Sequence, residues 1–152
     1  MKDAADRTIA PAHHLYGPPV LIIGESFGAG VAAAAAARQS DKTAGLLLIT
    51  PWDRLERVAS HHFAWLPVGW LLRDRYDSVA HVAGLDCPVL VAVAEHDDIV
   101  PARFGSALFE ATPAPKRLAV MPAAGQNDWA SRVDAVWWRE TVYFLIGEPM
   151  AL

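Results

Sequence analysis

Apolar residues in this chain are gathered into continuous runs that alternate with alanine-rich or amphipathic stretches. Four of the runs have the length and composition of buried strands. They are VLIIG from Val20, AGLLLIT from Ala44, PVLVAVAE from Pro88 and KRLAVMP from Lys116. Because these runs do not alternate with polar residues, they are typical of strands that helices cover on both faces of a sheet.

Helical patterns follow three of the runs. They are FGAGVAAAAAAR from Phe27, ARFGSALFEA from Ala102 and WASRVDAVWWRETVYFLIG from Trp129. Strands that alternate with helices form βαβ units and a parallel sheet. We therefore predict an α/β fold, a three-layer αβα sandwich with a mostly parallel sheet of about four strands. The length fits a single domain over residues 1–152.

Between Thr50 and Cys87 the pattern loosens into short amphipathic helices. We divide the domain into a βαβ unit over 18–50, a helical excursion or partial cap over 51–86, and a last part over 87–152. Large apolar side chains of the excursion either line a pocket or pack within it: Trp52, Phe63, Trp65, Leu66 and Trp70. Trp52 is the best pocket candidate, because it lies just beyond the carboxyl end of a strand, where ligands bind in open α/β sheets.

Composition and charge exclude several classes of partner. The formal net charge is −4 and the Lys and Arg residues are scattered, so we expect no nucleic-acid partner. The first residues carry charges and prolines where a signal peptide needs an apolar core, and no apolar run reaches membrane-spanning length. We therefore expect a cytoplasmic protein without a membrane span, in which the single cysteine, Cys87, packs in the core.

The first predicted strand runs into the motif GESFG, which fits GxSxG, at residues 24–28. A nucleophilic serine at such a strand-to-helix turn needs small neighbours so that the strained backbone fits and Oγ stays accessible. Ser26 is therefore the candidate nucleophile. The alternative is a plain turn in which Ser26 is only a small residue.

Two carboxylates, Asp97 and Asp98, follow the third strand, ahead of a helix that Pro101 starts. A carboxylate at the carboxyl end of a strand can orient a catalytic imidazole. Asp97 directly follows the strand and is the better candidate, whereas we expect Asp98 to face solvent. Turn and helix-start chemistry is the alternative for both residues, because Asp is favoured at such positions.

The fourth strand leads into the small-residue loop MPAAGQNDW over residues 121–129. With these motifs in this order, the chain from Val20 to about Leu145 resembles the C-terminal part of the α/β-hydrolase superfamily. It is most similar to small bacterial serine hydrolases that read GESxGxG, a WLLRDRYDS-like stretch, DxxVP and GAGHNDW. The resemblance implies that Ser26 is the nucleophile, Asp97 the acid, and the N–H of Phe27 an oxyanion donor. We assign the substrate pocket to Glu25, Trp52 and Trp129.

The chain departs from the family at the catalytic histidine, where it has Gln126. Imidazole accepts a serine proton near neutral pH, whereas a carboxamide has no basic site in that range. We therefore expect impaired or absent catalysis, unless His61, His62 or His96 reaches the serine and acts as the base.

The resemblance also covers only the second half of the family, without the upstream loop that supplies another oxyanion N–H. The strand over residues 20–24 then becomes an apolar sheet edge, which predicts either self-association through this strand or a longer gene product.

By resemblance, the expected function is ester, thioester or amide hydrolysis through an acyl-enzyme at Ser26, with a small-molecule or peptide substrate. The alternative is a non-catalytic binding module or a fragment of a longer hydrolase. We expect no cofactor and no metal, since the adjacent pairs His13–His14 and His61–His62 lack metal-ligand spacing.

Overall fold

A computed structural model gives the fold and describes residues 2–63, 65 and 77–147. Its strands form one parallel sheet in the order β1–β2–β3–β4. Their bounds are β1 Val20–Glu25, β2 Thr43–Ile49, β3 Val89–Ala94 and β4 Lys116–Met121. The predicted α/β architecture with about four parallel strands is confirmed.

Six helices of the described residues accompany the sheet. They are α1 Lys2–Tyr16, α2 Phe27–Arg38, α3 Leu55–His62, α4 Ser78–Val82, α5 Ala102–Ala111 and α6 Ala135–Ile146. Short 3₁₀ turns lie at Ser40–Lys42 and Trp129–Ser131. Within this part of the chain no helix has the length and apolar character needed to cross a membrane.

The last helix begins later than the sequence pattern predicts. A 3₁₀ turn starts at Trp129, and α6 itself begins at Ala135. The Asp134 side chain caps the helix by accepting a hydrogen bond from the Trp137 N–H. Asp is a preferred N-cap residue because its carboxylate satisfies an amide that has no partner in the first turn, so this local signal overrides the apolar pattern upstream.

Two apolar cores, one on each face of the sheet, make the molecule a three-layer sandwich. Because side chains alternate along a strand, β2 directs Leu46 and Leu48 to one face and Leu47 and Ile49 to the other. The first core is closed by α2, α4 and α5, and half-buried Cys87 packs against it. The second core is closed by α6 and includes Leu145.

The described part of the predicted excursion consists of α3 and α4. An antiparallel bridge between Arg54 and Asp77 joins the start of the excursion to its return. Trp52 is buried, while Trp65 is 80% exposed. The predicted pocket residues Leu66 and Trp70, and the predicted breaks at Pro67 and Gly69, lie outside the described residues.

Candidate active site

Ser26 occupies a strained turn between β1 and α2. Its backbone has φ 50° and ψ −120°, a conformation that side-chain-bearing residues rarely adopt. The turn is held by a 2.9 Å hydrogen bond from the Ser26 N–H to the Ile49 carbonyl and by another 2.9 Å bond from the Ala29 N–H to the Ser26 carbonyl. This geometry is that of a nucleophile elbow, in which a strained turn presents a serine at the carboxyl edge of a sheet.

Gly24 permits the close approach of α2 to β1 at this turn. A Cβ atom on Gly24 would lie 2.5 Å from the Ala32 Cβ and 2.5 Å from the Gly28 carbonyl oxygen. Gly28, the second glycine of the motif, faces open space instead, with nothing within 4 Å of a Cβ placed there. The steric requirement of the motif therefore falls on Gly24.

Gln126 joins Ser26 to Asp97. Its carboxamide is oriented by its hydrogen-bond partners, with Oε1 accepting from the Ser26 Oγ at 2.9 Å. Nε2 donates to Asp97 Oδ2 at 2.5 Å and lies 3.3 Å from Oδ1. The three side chains, which follow β1, β3 and β4, thus form a serine, amide and carboxylate chain at the carboxyl edge of the sheet.

Asp97 is the buried member of the two predicted carboxylates. Its side chain accepts hydrogen bonds from the N–H groups of Ile99 at 2.9 Å and Val100 at 2.7 Å through Oδ1. Burial raises the pKa of the Asp97 carboxyl, and these backbone N–H groups act in the opposite direction. Asp98 is exposed. The carboxylate that faces Gln126 is therefore fixed in place by the start of the following loop.

Thr50 is a site residue that the sequence reasoning missed. Its Oγ1 lies 3.2 Å from Gln126 Nε2 and 3.3 Å from Gln126 Oε1, and its side chain is buried. Its φ of 45° is unusual for a β-branched residue and marks backbone strain beside the candidate site. The available signal was its position, because Thr50 ends the β2 apolar run at the same sheet edge as the other site residues.

The loop that carries Gln126 is shaped by Asp128. Its carboxylate accepts a hydrogen bond from the Gly125 N–H at 2.6 Å and pairs with Arg132 at 2.9 Å. The hydrogen bond from the Gly125 N–H lowers the pKa of Asp128 most, and the Arg132 guanidinium lowers it further. This loop also contacts the loop that follows β3 and carries Asp97, because the His96 N–H donates to the Ala124 carbonyl at 2.8 Å.

Glu25 and Trp129, two predicted pocket residues, contact each other across 104 positions of sequence. The Trp129 Nε1–H donates to Glu25 Oε1 at 2.8 Å, and the Trp129 ring is buried in the α6-side core. This hydrogen bond connects the elbow to the segment that follows the Gln126 loop. Their assignment to the substrate pocket stays a prediction.

We expect this contact to couple the elbow to the loop by about 1 kcal/mol, the net contribution of one hydrogen bond. A double-mutant cycle of Glu25→Ala and Trp129→Phe, followed by urea unfolding, measures the coupling. The matched control pairs Glu25→Ala with Trp137→Phe, a tryptophan on α6, and is expected to give no coupling. Equal coupling in both cycles would contradict the assigned role.

Trp52 and Phe27 form the apolar side of the elbow. Their ring centroids are 5.9 Å apart. Trp52 is buried, and its Nε1 has no hydrogen-bond partner among the residues that the structure describes. Trp52 thus packs beside the residue that follows Ser26. Its pocket role and the oxyanion role of the Phe27 N–H stay predictions.

The three histidines considered as substitute bases have other neighbours in the structure. His61 Nδ1 accepts from Arg103 at 3.0 Å, and His62 Nε2 donates to the Ile99 carbonyl at 2.7 Å. The His96 side chain is 69% exposed, with Nε2 3.9 Å from Glu95. Gln126 is the side chain that contacts both Ser26 and Asp97. Within the described ranges no cluster of His, Cys, Asp and Glu is arranged to hold a metal ion.

A parallel αβα sandwich with a serine elbow at its carboxyl edge defines a class of proteins, and comparison with solved structures supports that class. The esterase domain of a Rhodothermus marinus protein superposes with a TM-score of 0.73 at 16% identity, covering 94% of this chain and 67% of that chain. The chain therefore has the α/β-hydrolase fold, and the resemblance predicted from its motifs is confirmed for the fold.

Sequence comparison finds longer relatives. The uncharacterized protein Rv2307c of Mycobacterium tuberculosis is 40% identical over 109 residues, which cover 72% of this chain and 38% of the relative. The lysophosphatidylserine lipase ABHD12 of Danio rerio is 31% identical over 108 residues, covering 60% of this chain and 28% of the lipase. The chain thus spans well under half of the length of these relatives. No model of a known protein family matches it.

Proposed function

We propose that this chain carries a serine-hydrolase site for esters, thioesters or amides in which turnover is strongly impaired. The observation that carries the proposal is the hydrogen-bonded chain from Ser26 through Gln126 to Asp97. In it, the two ends of an amide take the places that the two ring nitrogens of a histidine take in a catalytic triad. Ser26 is the nucleophile in this scheme, and Asp97 orients the residue at position 126.

The impairment follows from the chemistry of the amide. The Gln126 oxygen accepts a hydrogen bond from the Ser26 hydroxyl but does not take its proton at neutral pH, because a carboxamide is not basic in that range. Loss of the base from a serine triad lowers kcat by a factor on the order of 10⁶. The Phe27 N–H is the proposed oxyanion donor, and it acts on the acyl oxygen whether or not a base is present.

The substrate class rests on the apolar environment of the elbow and on similar proteins. The partly exposed Phe27 ring, which packs beside buried Trp52, offers an apolar surface next to Ser26. Two proteins similar to this chain are an esterase domain and a lysophosphatidylserine lipase. These relatives support an ester as the small-molecule ligand of this site, and the Phe27 ring favours an apolar group on it.

A fluorophosphonate probe and a chromogenic ester test the proposal on the unaltered chain. We expect labelling of Ser26 to be slow, because the unaltered chain has no base at position 126. For the same reason, ester turnover by the unaltered chain should be close to that of Ser26→Ala. Labelling within minutes at micromolar probe, lost in Ser26→Ala, would overturn the proposed impairment.

A non-catalytic binding module is the second candidate, and the Gln126 contacts favour it specifically. The amide satisfies both Ser26 and Asp97, which gives a polar surface that needs no reaction to stay ordered. Saturable binding of an ester without product release, together with competition by the corresponding acid, would support this candidate over slow hydrolysis.

We further propose that β1 pairs with another copy of this chain. β1 is an edge strand, its Ile23 side chain is 56% exposed, and an apolar groove of about 580 Å³ runs beside it between α1 and α2. Apolar edge strands are templates for pairing. The opposite edge, β4, begins with Lys116 and Arg117, and charged residues of this kind protect sheet edges.

Light scattering coupled to size exclusion tests this pairing. We expect the unaltered chain to show a dimer or larger species that grows with concentration, and Ile23→Lys to shift it to the monomer. The matched control is Val120→Lys on β4, a side chain with a similar exposure of 53%, which should leave the association unchanged. A monomer at all concentrations for the unaltered chain would contradict the proposal.

A further inference from the structure

A cavity of about 450 Å³ lies between α3 and α5 and is separate from the Ser26 site. Its lining is mostly polar and charged and comes from these two helices: Glu56, Arg57, Ser60, His61, Arg103 and Phe104. The proposed hydrolase site uses none of these side chains. Their combination of two guanidinium groups, a hydroxyl and an imidazole is a set of hydrogen-bond donors.

The two arginines are held by a shared aromatic ring. Phe104 is buried, and the guanidinium carbon of Arg57 lies 5.2 Å from its ring centroid while that of Arg103 lies 4.7 Å away. Stacking on an aromatic face restricts a guanidinium without using its N–H donors. The Phe104 ring therefore restricts both guanidinium groups.

Each arginine has a further anchor among the residues that the structure describes. Arg57 forms an ion pair with Asp53, which is buried, and Arg103 donates to His61 Nδ1 at 3.0 Å. A guanidinium carries five N–H donors, so each anchor leaves donors over. Because a guanidinium only donates, His61 accepts at Nδ1 and carries its proton at Nε2, which makes that atom a donor as well.

This donor set favours a tetrahedral oxyanion over a planar carboxylate. A carboxylate is satisfied by a single guanidinium fork. Here the Arg103 guanidinium of α5 is joined by Arg57, Ser60 and His61 of α3, and donors from two helices suit the several oxygens of a phosphate. Among the lining residues that the structure describes, Glu56 carries the one carboxylate, and its charge opposes an anion in the cavity.

We propose that this cavity binds a phosphate group, either as the free ion or as a phosphate monoester, with Arg103 and Arg57 as its principal ligands. Arg103 contributes most of the accessible charge, because Arg57 is partly neutralised by Asp53. The volume leaves room beside the phosphate for a small organic group.

Titration of the full chain with inorganic phosphate, followed by calorimetry at constant ionic strength, tests the proposal. We expect saturable binding that Arg103→Gln weakens about tenfold, the effect of losing one charged hydrogen-bond contact. The matched control is Arg117→Gln. Arg117 is another arginine stacked on an aromatic ring, at 5.1 Å from the Phe144 centroid, but it lies on β4. Its loss should leave phosphate binding unchanged.

Glu56→Gln supplies a second test with the opposite sign, since removal of the opposing carboxylate should tighten binding. A parallel titration with glycerol phosphate distinguishes the two ligand sources. Tighter binding of the monoester, still dependent on Arg103, indicates that the cavity holds the organic group, and equal or weaker binding indicates recognition of the phosphate alone. Absence of saturable phosphate binding, or equal weakening by Arg103→Gln and Arg117→Gln, would overturn the proposal.

Discussion

Gln126→His is expected to raise the rate at which a fluorophosphonate labels Ser26 by roughly three orders of magnitude or more, because it restores the base whose loss costs far more in serine triads. A side chain at position 126 already lies between the nucleophile and the acid of the proposed site. Gln126 contacts the Ser26 Oγ at 2.9 Å and Asp97 Oδ2 at 2.5 Å, so an imidazole at this position has both partners within reach. The rate constant for labelling, measured at several probe concentrations, checks the prediction.

The pH dependence of the labelling rate shows whether the imidazole of Gln126→His acts as a base or only changes the packing around Ser26. Imidazole accepts the serine proton only when neutral, so labelling of Gln126→His should fall as the pH drops below about 6.5. The unaltered chain has no such group at this position and should lack the inflection. Buried Asp97 supports the imidazolium that forms in the reaction, and Asp97→Asn in the histidine background should reduce the gain.

Two variants control for reaction at other residues. Ser26→Ala combined with Gln126→His should abolish the labelling, which assigns the gain to Ser26. Gln126→Met keeps a side chain of similar size without a titratable group and should not reproduce the neutral-pH inflection of histidine. A histidine variant that labels no faster than the unaltered chain would contradict the assignment of position 126 as the place of the base.

The features that sequence predicted best are those written in local patterns. The four apolar runs gave the four strands, and the GxSxG turn gave the strained elbow at Ser26. Asp97 and Gln126 were placed by order along the chain, since parallel strands bring their carboxyl ends to one edge. The strands, Ser26 and Asp97 follow from residue types and the direction of the strand before them, whereas position 126 was identified through the resemblance to the GAGHNDW motif.

The features that sequence missed depend on contacts between distant elements. Nothing local marks Thr50 as a neighbour of Gln126, because that contact requires β2 and the loop after β4 to be in place. The hydrogen bond between Glu25 and Trp129 likewise spans 104 positions. The start of α6 is a different case, because its signal, the Asp134 cap, is local. The prediction followed the apolar residues from Trp129 onward and placed the helix start too early.

Glutamine stands where the resemblance implies a catalytic histidine, and its amide can make similar hydrogen bonds without being basic. The amide keeps a donor toward Asp97 and an acceptor toward Ser26, which are the two contacts that a neutral imidazole makes in this arrangement. The elbow and the buried carboxylate are therefore both hydrogen-bonded to the amide at this position. In the proposed scheme, position 126 affects catalysis through its basicity and the local packing through its hydrogen bonds, so the two effects can be tested separately.

Gly24 limits the packing of the elbow. We expect Gly24→Ala to lower the free energy of unfolding by about 3 kcal/mol or more, the upper part of the range for overpacking a filled interior. The added Cβ would lie 2.5 Å from the Ala32 Cβ and 2.8 Å from the Ala29 Cα, and it would also meet the Gly28 carbonyl. Two of these three atoms belong to the backbone, so relief requires α2 to move away from β1. Because α2 closes the core on that face, such a movement opens the packing of the whole face.

Gly28→Ala is the matched control from the same motif. A Cβ on Gly28 meets nothing within 4 Å, and the residue lies in the first turn of α2, where alanine is a better helix former than glycine. We therefore expect Gly28→Ala to leave the free energy of unfolding unchanged or to raise it slightly. Urea unfolding of both variants measures the difference, and equal destabilisation would show that the helix-to-strand distance at Gly24 does not limit the packing of the elbow.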